Sequence, residues 1–257
     1  MNLLHSRVVG SGSPLVILHG FLGMSDNWKS LGMQFAEAGF EVHLVDQRNH
    51  GHSFWSDEFN YRILAEDLLN YLDHRNILET SIIGHSMGGK TAMHFACLNS
   101  DRVQNLIIAD IGPKYYPPHH QIILEALKSL NPSELTSRNE ADKVLSRFIK
   151  SLGIRQFLLK NLYWEKPGVL GLRMNLKVLS SSMEAIGTPL SQGLYFAGPT
   201  VFIRGGASDY ILDEDLPLIS EHFPKAVLET IKDTGHWLHA EKPKEFLECC
   251  LKALKAT

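Results

Sequence analysis

A serine in this chain lies between two glycines, each two positions away, and directly follows an apolar run. Residues 82–89 read IIGHSMGG, with the serine at position 86. Glycine has no side chain to pack in a buried strand, and it destabilises the interior of a helix. The pattern therefore predicts a very tight turn between a strand and a helix, in which side chains at the glycine positions would collide with neighbouring backbone. Such a turn strains the backbone of Ser86 and exposes its Oγ at the amino end of the helix.

Short apolar runs alternate with helical patterns along most of the chain. Buried strands are predicted over residues 14–18, 41–45, 81–83, 103–109, 200–204 and 226–231, with an edge strand within 3–9. Helices are predicted over about 27–38, 61–78 and 87–99, and a last helix starts at Pro243. Strands that alternate with helices are typical of an α/β protein with a doubly wound, mostly parallel sheet.

This alternation stops between residues 113 and 190. The segment reads as several helices, such as 122–130 and 141–151, and no run in it predicts a strand. We interpret it as an all-helical insertion that caps the carboxyl ends of the strands, where open sheets bind ligands. Residues 1–112 and 191–257 then form the α/β core.

Composition excludes several classes of protein. The chain has 257 residues, of which 44% are hydrophobic and 21% charged, as in ordinary globular proteins. No apolar run approaches the roughly 20 residues that span a bilayer, and the first residues do not resemble a signal peptide. Three sparse cysteines indicate a reducing compartment, and no spacing is typical of zinc ligands. We expect a cytoplasmic protein without metal or cofactor and with neither membrane nor nucleic-acid partners.

An exposed serine on such a turn is a candidate nucleophile, which needs a histidine as base and an acid to orient that histidine. In proteins with this turn the acid follows the serine and the histidine comes last. His236, in TGHW after the final strand, fits the base. Asp110 ends the fourth predicted strand and Asp209 the fifth. Because adjacent parallel strands are about 5 Å apart, either aspartate could reach the histidine.

Acyl transfer also requires two backbone N–H groups that stabilise an oxyanion. One candidate is the N–H of Met87, directly after the nucleophile. The other is the N–H of Phe21 in the sequence LHGF, which follows the first core strand, and Gly20 beside it permits a close approach of the backbone.

These residues resemble the α/β-hydrolase superfamily, and more narrowly the small bacterial acyl-CoA and carboxyl esterases and the abhydrolase domain-containing protein eleven group. The resemblance rests on five blocks: HGFLG at 19–23 with SDNW at 25–28, DQRNHGHS at 46–53, GHSMGGK at 84–90, GGASDYI at 205–211 and GHWLHAEKP at 235–243. It covers residues 14 to 250 and is weakest in the insertion.

The resemblance bears on the choice of acid. In this family the aspartate that matches Asp110 orients the histidine, and the serine that matches Ser208 joins the same network. Here Asp209 follows Ser208 directly and restores an acid at the usual position of the superfamily. The resemblance favours Asp110, with Asp209 as its rival.

The resemblance also implies carboxylic esters or acyl thioesters as small-molecule substrates. The insertion contains eleven Lys and Arg against six Asp and Glu, a net charge of +5, whereas the whole chain has −3. This charge could be a solvated surface, or it could attract the phosphates of coenzyme A. Four apolar residues of the insertion are candidates for an acyl pocket, although such residues also simply pack a cap onto its core: Ile122, Leu127, Phe148 and Phe157.

The sequence thus predicts a serine esterase or thioesterase that forms an acyl-enzyme on Ser86. Dehalogenases and epoxide hydrolases of this fold have an aspartate as nucleophile at the position of Ser86, so the serine argues against them. The alternatives are a carbon–carbon bond hydrolase, an enzyme similar to the menaquinone-pathway synthase, and a non-catalytic ligand-binding homologue. The oligomeric state is left open.

Overall fold

A seven-stranded sheet forms the centre of the computed structural model, which describes residues 2–118, 120–131, 135 and 137–255. The strands of this sheet are β1 (Ser6–Val9), β2 (Ser13–Leu18), β3 (Phe40–Val45), β4 (Thr80–His85), β5 (Val103–Ala109), β8 (Thr200–Gly205) and β9 (Ala226–Ile231). Their order is β1-β3-β2-β4-β5-β8-β9, and only β1 is antiparallel to its neighbour. The predicted α/β fold with a mostly parallel sheet is confirmed.

Helices cover both faces of the sheet. In the core they are α1 (Lys29–Glu37), α2 (Tyr61–His74), α3 (Met87–Leu98), α9 (Leu216–His222), α10 (Leu238–Glu241) and α11 (Pro243–Lys255). No helix in the described ranges is both long and apolar enough to span a membrane.

Alternation along the strands explains the two faces. In β2, Val16 and Leu18 pack on the side of α2 and α3, whereas Leu15 and Ile17 pack on the side of α1 and α11. Since both faces are covered, the strand reads as a continuous apolar run rather than as an alternating one. This burial fixes the positions of the strand ends, which carry the site described below.

The insertion between β5 and β8 forms a cap, here defined as residues 113–190. It contains α4 (Gln121–Lys128), α5 (Arg138–Leu145), α6 (Leu152–Leu159), β6 (Leu162–Lys166), β7 (Val169–Leu172), α7 (Leu176–Ser181) and α8 (Met183–Gly187). Its two ends meet, because the Leu190 N–H donates to the Pro113 carbonyl at 2.8 Å. This contact supports treating the segment as one insertion.

The cap is not all-helical, because β6 and β7 form an antiparallel hairpin. The expectation that it contains no strand was wrong. Both strands are short, and β6 ends in three exposed residues, with Trp164 54% accessible, so the hairpin lacks the long apolar run that indicates a buried strand. The signal that was missed is the turn Lys166-Pro167-Gly168, in which Gly168 has φ +80°.

The block at 46–53 joins the cap to the core. The Asn175 N–H donates to the Asn49 carbonyl at 2.9 Å, and the Gly51 N–H donates to the Arg173 carbonyl at 2.8 Å. Arg48 in the same block forms a buried, bidentate ion pair with Asp67 on α2. The block that carried much of the resemblance therefore fixes the chain segment after the hairpin of the cap.

Candidate active site

The predicted tight turn lies between β4 and α3. Ser86 has φ 53° and ψ −119°, a conformation that costs energy for any residue with a side chain. A Cβ at Gly84 would lie 2.4 Å from the Gly88 carbonyl oxygen, and one at Gly88 would lie 2.3 Å from the Leu18 carbonyl oxygen. Both glycines are therefore needed for the turn to pack against itself and against β2.

Asp110 is fully buried directly after β5 and accepts hydrogen bonds from three groups. Its Oδ2 accepts from His236 Nδ1 at 2.9 Å and from Ser208 Oγ, and its Oδ1 accepts from the Gly205 N–H at 2.9 Å. Three donors can compensate a buried carboxylate for its lost hydration. The structure thus brings together Asp110, Ser208 and His236.

Asp209 is placed differently, although it is next to Ser208 in the chain. Its side chain is exposed, and the imidazole Nδ1 of His236 contacts Asp110 instead. The Ser208 Oγ is turned inward, where it donates to Asp110 and accepts from the Tyr210 N–H at 3.3 Å.

His236 is held on several sides. The Tyr210 ring stacks on its imidazole with centroids 3.7 Å apart. Its backbone carbonyl accepts from His85 Nε2 at 2.9 Å. Because the contact with Asp110 requires a proton on Nδ1, a neutral imidazole has its lone pair on Nε2, the nitrogen that a general base needs.

Ser86 and His236 line the same cavity. Within the described residues no hydrogen bond joins Ser86 Oγ to the imidazole, and catalytic hydrogen bonds are often long or poorly aligned in ligand-free sites.

The loop after β2 lies against the turn. A Cβ at Gly20 would lie 2.8 Å from His85 Nδ1 and 3.3 Å from the Ser86 Cβ, so glycine permits this approach. The loop is fixed from behind, where the Leu22 N–H donates to His50 Nε2 at 3.2 Å. Burial lowers the pKa of His50 to about 3, which keeps its imidazole neutral and able to accept.

Phe21 and Met87 follow Gly20 and Ser86 in these two adjoining segments. In the described part of the chain neither N–H is used in a hydrogen bond, so both remain available to an incoming oxygen.

Two cavities meet at this point. The larger has a volume of about 200 Å³ and is lined by His236, Trp237 and His239 from the core and by Ile123, Ile154, Phe157 and Leu158 from the cap. The smaller has a volume of about 20 Å³ and is lined by residues that include Tyr61, Met87, Met183 and Ile186. Ser86 lines both cavities.

Of the four apolar cap residues proposed for an acyl pocket, only Phe157 lines a cavity at Ser86. Leu127 is buried in the apolar contact between the cap and the core. Ile122 is 61% exposed and Phe148 is 40% exposed, so they face solvent. Helix periodicity alone does not distinguish these three outcomes.

Comparison with known proteins shows where the chain belongs. Residues 13–143 match the family described as alpha/beta hydrolase fold. The mouse protein named sn-1-specific diacylglycerol lipase ABHD11 is 37% identical over 241 residues, which are 91% of this chain and 78% of the mouse protein. The chain belongs to the α/β-hydrolase family.

Other relatives support the same conclusion. Esterase YbfF of Escherichia coli strain K12 is 33% identical over 248 residues, which are 95% of this chain and 94% of that protein. The solved structure of a marine microorganism esterase has a TM-score of 0.95 and 42% identity, and the match covers 98% of this chain and 99% of the esterase. The predicted superfamily is confirmed, as is the prediction that this hydrolase is an enzyme.

Two residues of the hydrolase site had no role in the sequence prediction. His85 was treated as part of the turn, yet its hydrogen bond holds the backbone of His236. Lys90, on α3, is buried, and its Nζ donates to the carbonyls of Lys114 at 2.5 Å and Thr188 at 2.6 Å. These carbonyls lie at the two ends of the cap. The Gly-Gly-Lys sequence carried the signal for Lys90, since a lysine on a buried helix must find acceptors.

Among the described residues of the hydrolase, no group of three or more His, Cys, Asp or Glu side chains is arranged to hold a metal ion.

Proposed function

We propose that this protein is a serine esterase that hydrolyses carboxylic esters and acyl thioesters through an acyl-enzyme on Ser86. The observation that carries the proposal is that buried Asp110 accepts a hydrogen bond from His236, and that His236 and Ser86 line the same cavity. Asp110, Ser86 and His236 follow β5, β4 and β9 of one sheet. Asp110 takes the role of the triad acid, and Ser208 supports it. Asp209 is the less suitable acid because its side chain is exposed.

Proton transfer begins at the imidazole. Nε2 of His236 takes the proton of Ser86 Oγ as that oxygen attacks the acyl carbonyl carbon. The carboxylate of Asp110 keeps the Nδ1–H tautomer and stabilises the imidazolium that forms, a role worth about 10⁴ in kcat in serine hydrolases.

The carbonyl oxygen becomes an oxyanion at this step. The N–H groups of Phe21 and Met87 donate to it, and each such donor contributes about 10²–10³ in rate. Both groups belong to backbone segments that lie close together, because Gly20 approaches the turn at Ser86.

The intermediate then collapses. The imidazolium returns its proton to the leaving alcohol or thiol, and the acyl group remains on Ser86 Oγ. Water then attacks the acyl carbon while His236 Nε2 takes one of its protons. The imidazolium returns that proton to Ser86 Oγ as the bond to the acyl carbon breaks, which releases the carboxylic acid and restores Ser86.

The substrate class follows from the relatives and from charge. One relative is named a diacylglycerol lipase and another an esterase, and this supports ester substrates. Acyl-CoA thioesters are included because the cap has a net charge of +5, which attracts phosphates. A further cavity continues outward from the larger one and reaches Lys160. The three cysteines are free, as in a reducing compartment, so we propose a cytoplasmic location.

The test is hydrolysis of p-nitrophenyl esters and acyl-CoA thioesters by the wild type and by Ser86→Ala. Loss of the nucleophile should lower kcat by on the order of a millionfold, whereas Ser191→Ala, at an exposed serine, should leave it unchanged. Full turnover by Ser86→Ala would refute the proposal. If the folded wild type turns over no ester, labelling by a fluorophosphonate separates a carbon–carbon bond hydrolase, which is labelled, from a binding protein with an inert serine.

A further inference from the structure

The two cavities at Ser86 are lined by different catalytic residues. Ser86 and Phe21 line both, as the position of a reacting carbonyl requires. His236 lines only the larger cavity, and Met87 lines only the smaller one. A substrate whose carbonyl is at Ser86 must therefore extend one of its two arms into each cavity.

The proton transfer from His236 determines which cavity binds the leaving group and which binds the acyl chain. The imidazolium of His236 must protonate the leaving oxygen or sulfur as the acyl bond breaks, so that atom has to lie on the histidine side of Ser86. The leaving group then extends into the larger cavity. The acyl chain, on the opposite side of the carbonyl carbon, points into the smaller one.

The smaller cavity has room for only a short chain. Its volume of about 20 Å³ exceeds only slightly the roughly 10–15 Å³ that one water molecule needs on the same measure. Met183 and Ile186 of the cap form part of its wall opposite the core. Tyr61 Oη donates to the Ile186 carbonyl at 2.7 Å, and Tyr61 is itself buried, so this wall is fixed to α2.

The larger cavity can hold a bulky leaving group. It has a volume of about 200 Å³, and the cavity that continues outward has about 550 Å³. The two share Ile154, Phe157 and Trp237, together with the polar Asn27 and His239, so the route between them is largely but not wholly apolar and aromatic. Phe157 and Trp237 contact each other edge to face at 4.4 Å.

We infer that the smaller cavity binds the acyl group and the larger one binds the leaving group, so that the enzyme selects short acyl chains on large alcohols or thiols. This inference rests on the proposed function, and it names the substrate class of the same site. Met183 and Ile186 are then the residues that limit acyl length, and Ile154 and Phe157 contact the leaving group.

The first test uses the wild type alone and varies one arm at a time. With a fixed alcohol, kcat/KM should be highest for acetyl and propionyl esters and fall at octanoyl by at least about a hundredfold, since poorly fitting methylenes each cost on the order of tenfold. With a fixed acetyl group, replacing methanol by naphthylmethanol, a similarly poor leaving group, should raise kcat/KM. Preference for octanoyl over acetyl esters would overturn the inference, whereas no ester hydrolysis at all would overturn the proposed function instead.

A matched pair of variants then assigns the two arms. Ile186→Ala should shift the acyl preference by at least two methylenes towards longer chains and leave the ratio of kcat/KM for naphthylmethyl acetate to that for methyl acetate unchanged. Ile154→Ala should change that alcohol ratio and leave the acyl profile unchanged. If Ile154→Ala instead lengthens the preferred acyl chain, the cavities are assigned the wrong way round.

Discussion

The catalytic groups at the strand ends and the cap above them are positioned in different ways. Ser86 and Asp110 both directly follow buried strands and both have positive φ, so the backbone itself sets their directions. The cap instead contributes apolar side chains whose contacts depend on how its short helices pack. A substitution at the strand ends should therefore stop the chemistry, whereas a substitution in the cap should change attachment or selectivity.

The sharpest test of this contrast compares the two carboxylates that follow the neighbouring strands β5 and β8. Asp110→Asn removes the acceptor that fixes the tautomer of His236 and should lower kcat by about 10⁴. Asp209→Asn changes an exposed side chain and should alter kcat less than about threefold. Steady-state kinetics on one p-nitrophenyl ester measures both. Equal losses would show that the exposed acid takes part in the reaction.

Attachment of the cap to the core should depend on Lys90. Lys90→Met leaves the Lys114 and Thr188 carbonyls without this donor, which should lower the free energy of unfolding by about 1–3 kcal/mol. Lys128→Met, at an exposed lysine of the cap, should have almost no effect. Denaturant unfolding measures both free energies, and equal stabilities would mean that Lys90 does not hold the cap.

The effect of Lys90 should also vary with pH. Burial lowers the pKa of its ammonium group to about 7, whereas an unfolded lysine has a pKa of about 10.4. Between these values the unfolded chain binds more protons than the folded one, so the wild-type free energy of unfolding rises with pH through this group. Lys90→Met lacks this contribution. The difference between the free energies of unfolding of the wild type and of Lys90→Met should therefore increase from pH 7 to pH 9. A difference in free energy that decreases over this range would show that the pKa of Lys90 is not lowered in the folded protein.

The smallest effect is expected at the rim of the larger cavity. Phe157→Ala removes an aromatic ring that lines it and should raise KM about three- to tenfold for a naphthyl ester, with kcat nearly unchanged. Phe148→Ala, at a 40% exposed residue of the same cap, serves as the control and should change neither constant. A large loss of kcat in Phe157→Ala would mean that the cap acts on the chemistry itself.

The core was predictable because each of its signals is local. Buried strands read as apolar runs, and the turn at Ser86 reads as two glycines at fixed spacing. His236 could be proposed from its position after the last strand. The choice between Asp110 and Asp209 could not be made from spacing, because both end neighbouring strands. It depends on the turn after β8, where Ser208 faces Asp110 and Asp209 is exposed.

The rest of the site depends on contacts between distant segments. No pattern within the turn shows that His85 donates to the backbone 151 positions away. In the same way, a helical pattern does not show which of Ile122, Leu127, Phe148 and Phe157 faces a cavity. That outcome depends on how the cap helices rotate against the core, and the hairpin between them adds further constraints.

The hydrogen bond between Pro113 and Leu190 has a consequence for protein engineering. A segment of nearly eighty residues leaves and re-enters the core at one point, so its replacement changes a single junction rather than the order of the strands. Caps from other members of the family could be exchanged here as cassettes, provided that each supplies two carbonyls for the lysine on the nucleophile's helix. New selectivities could then be combined with an unaltered catalytic centre.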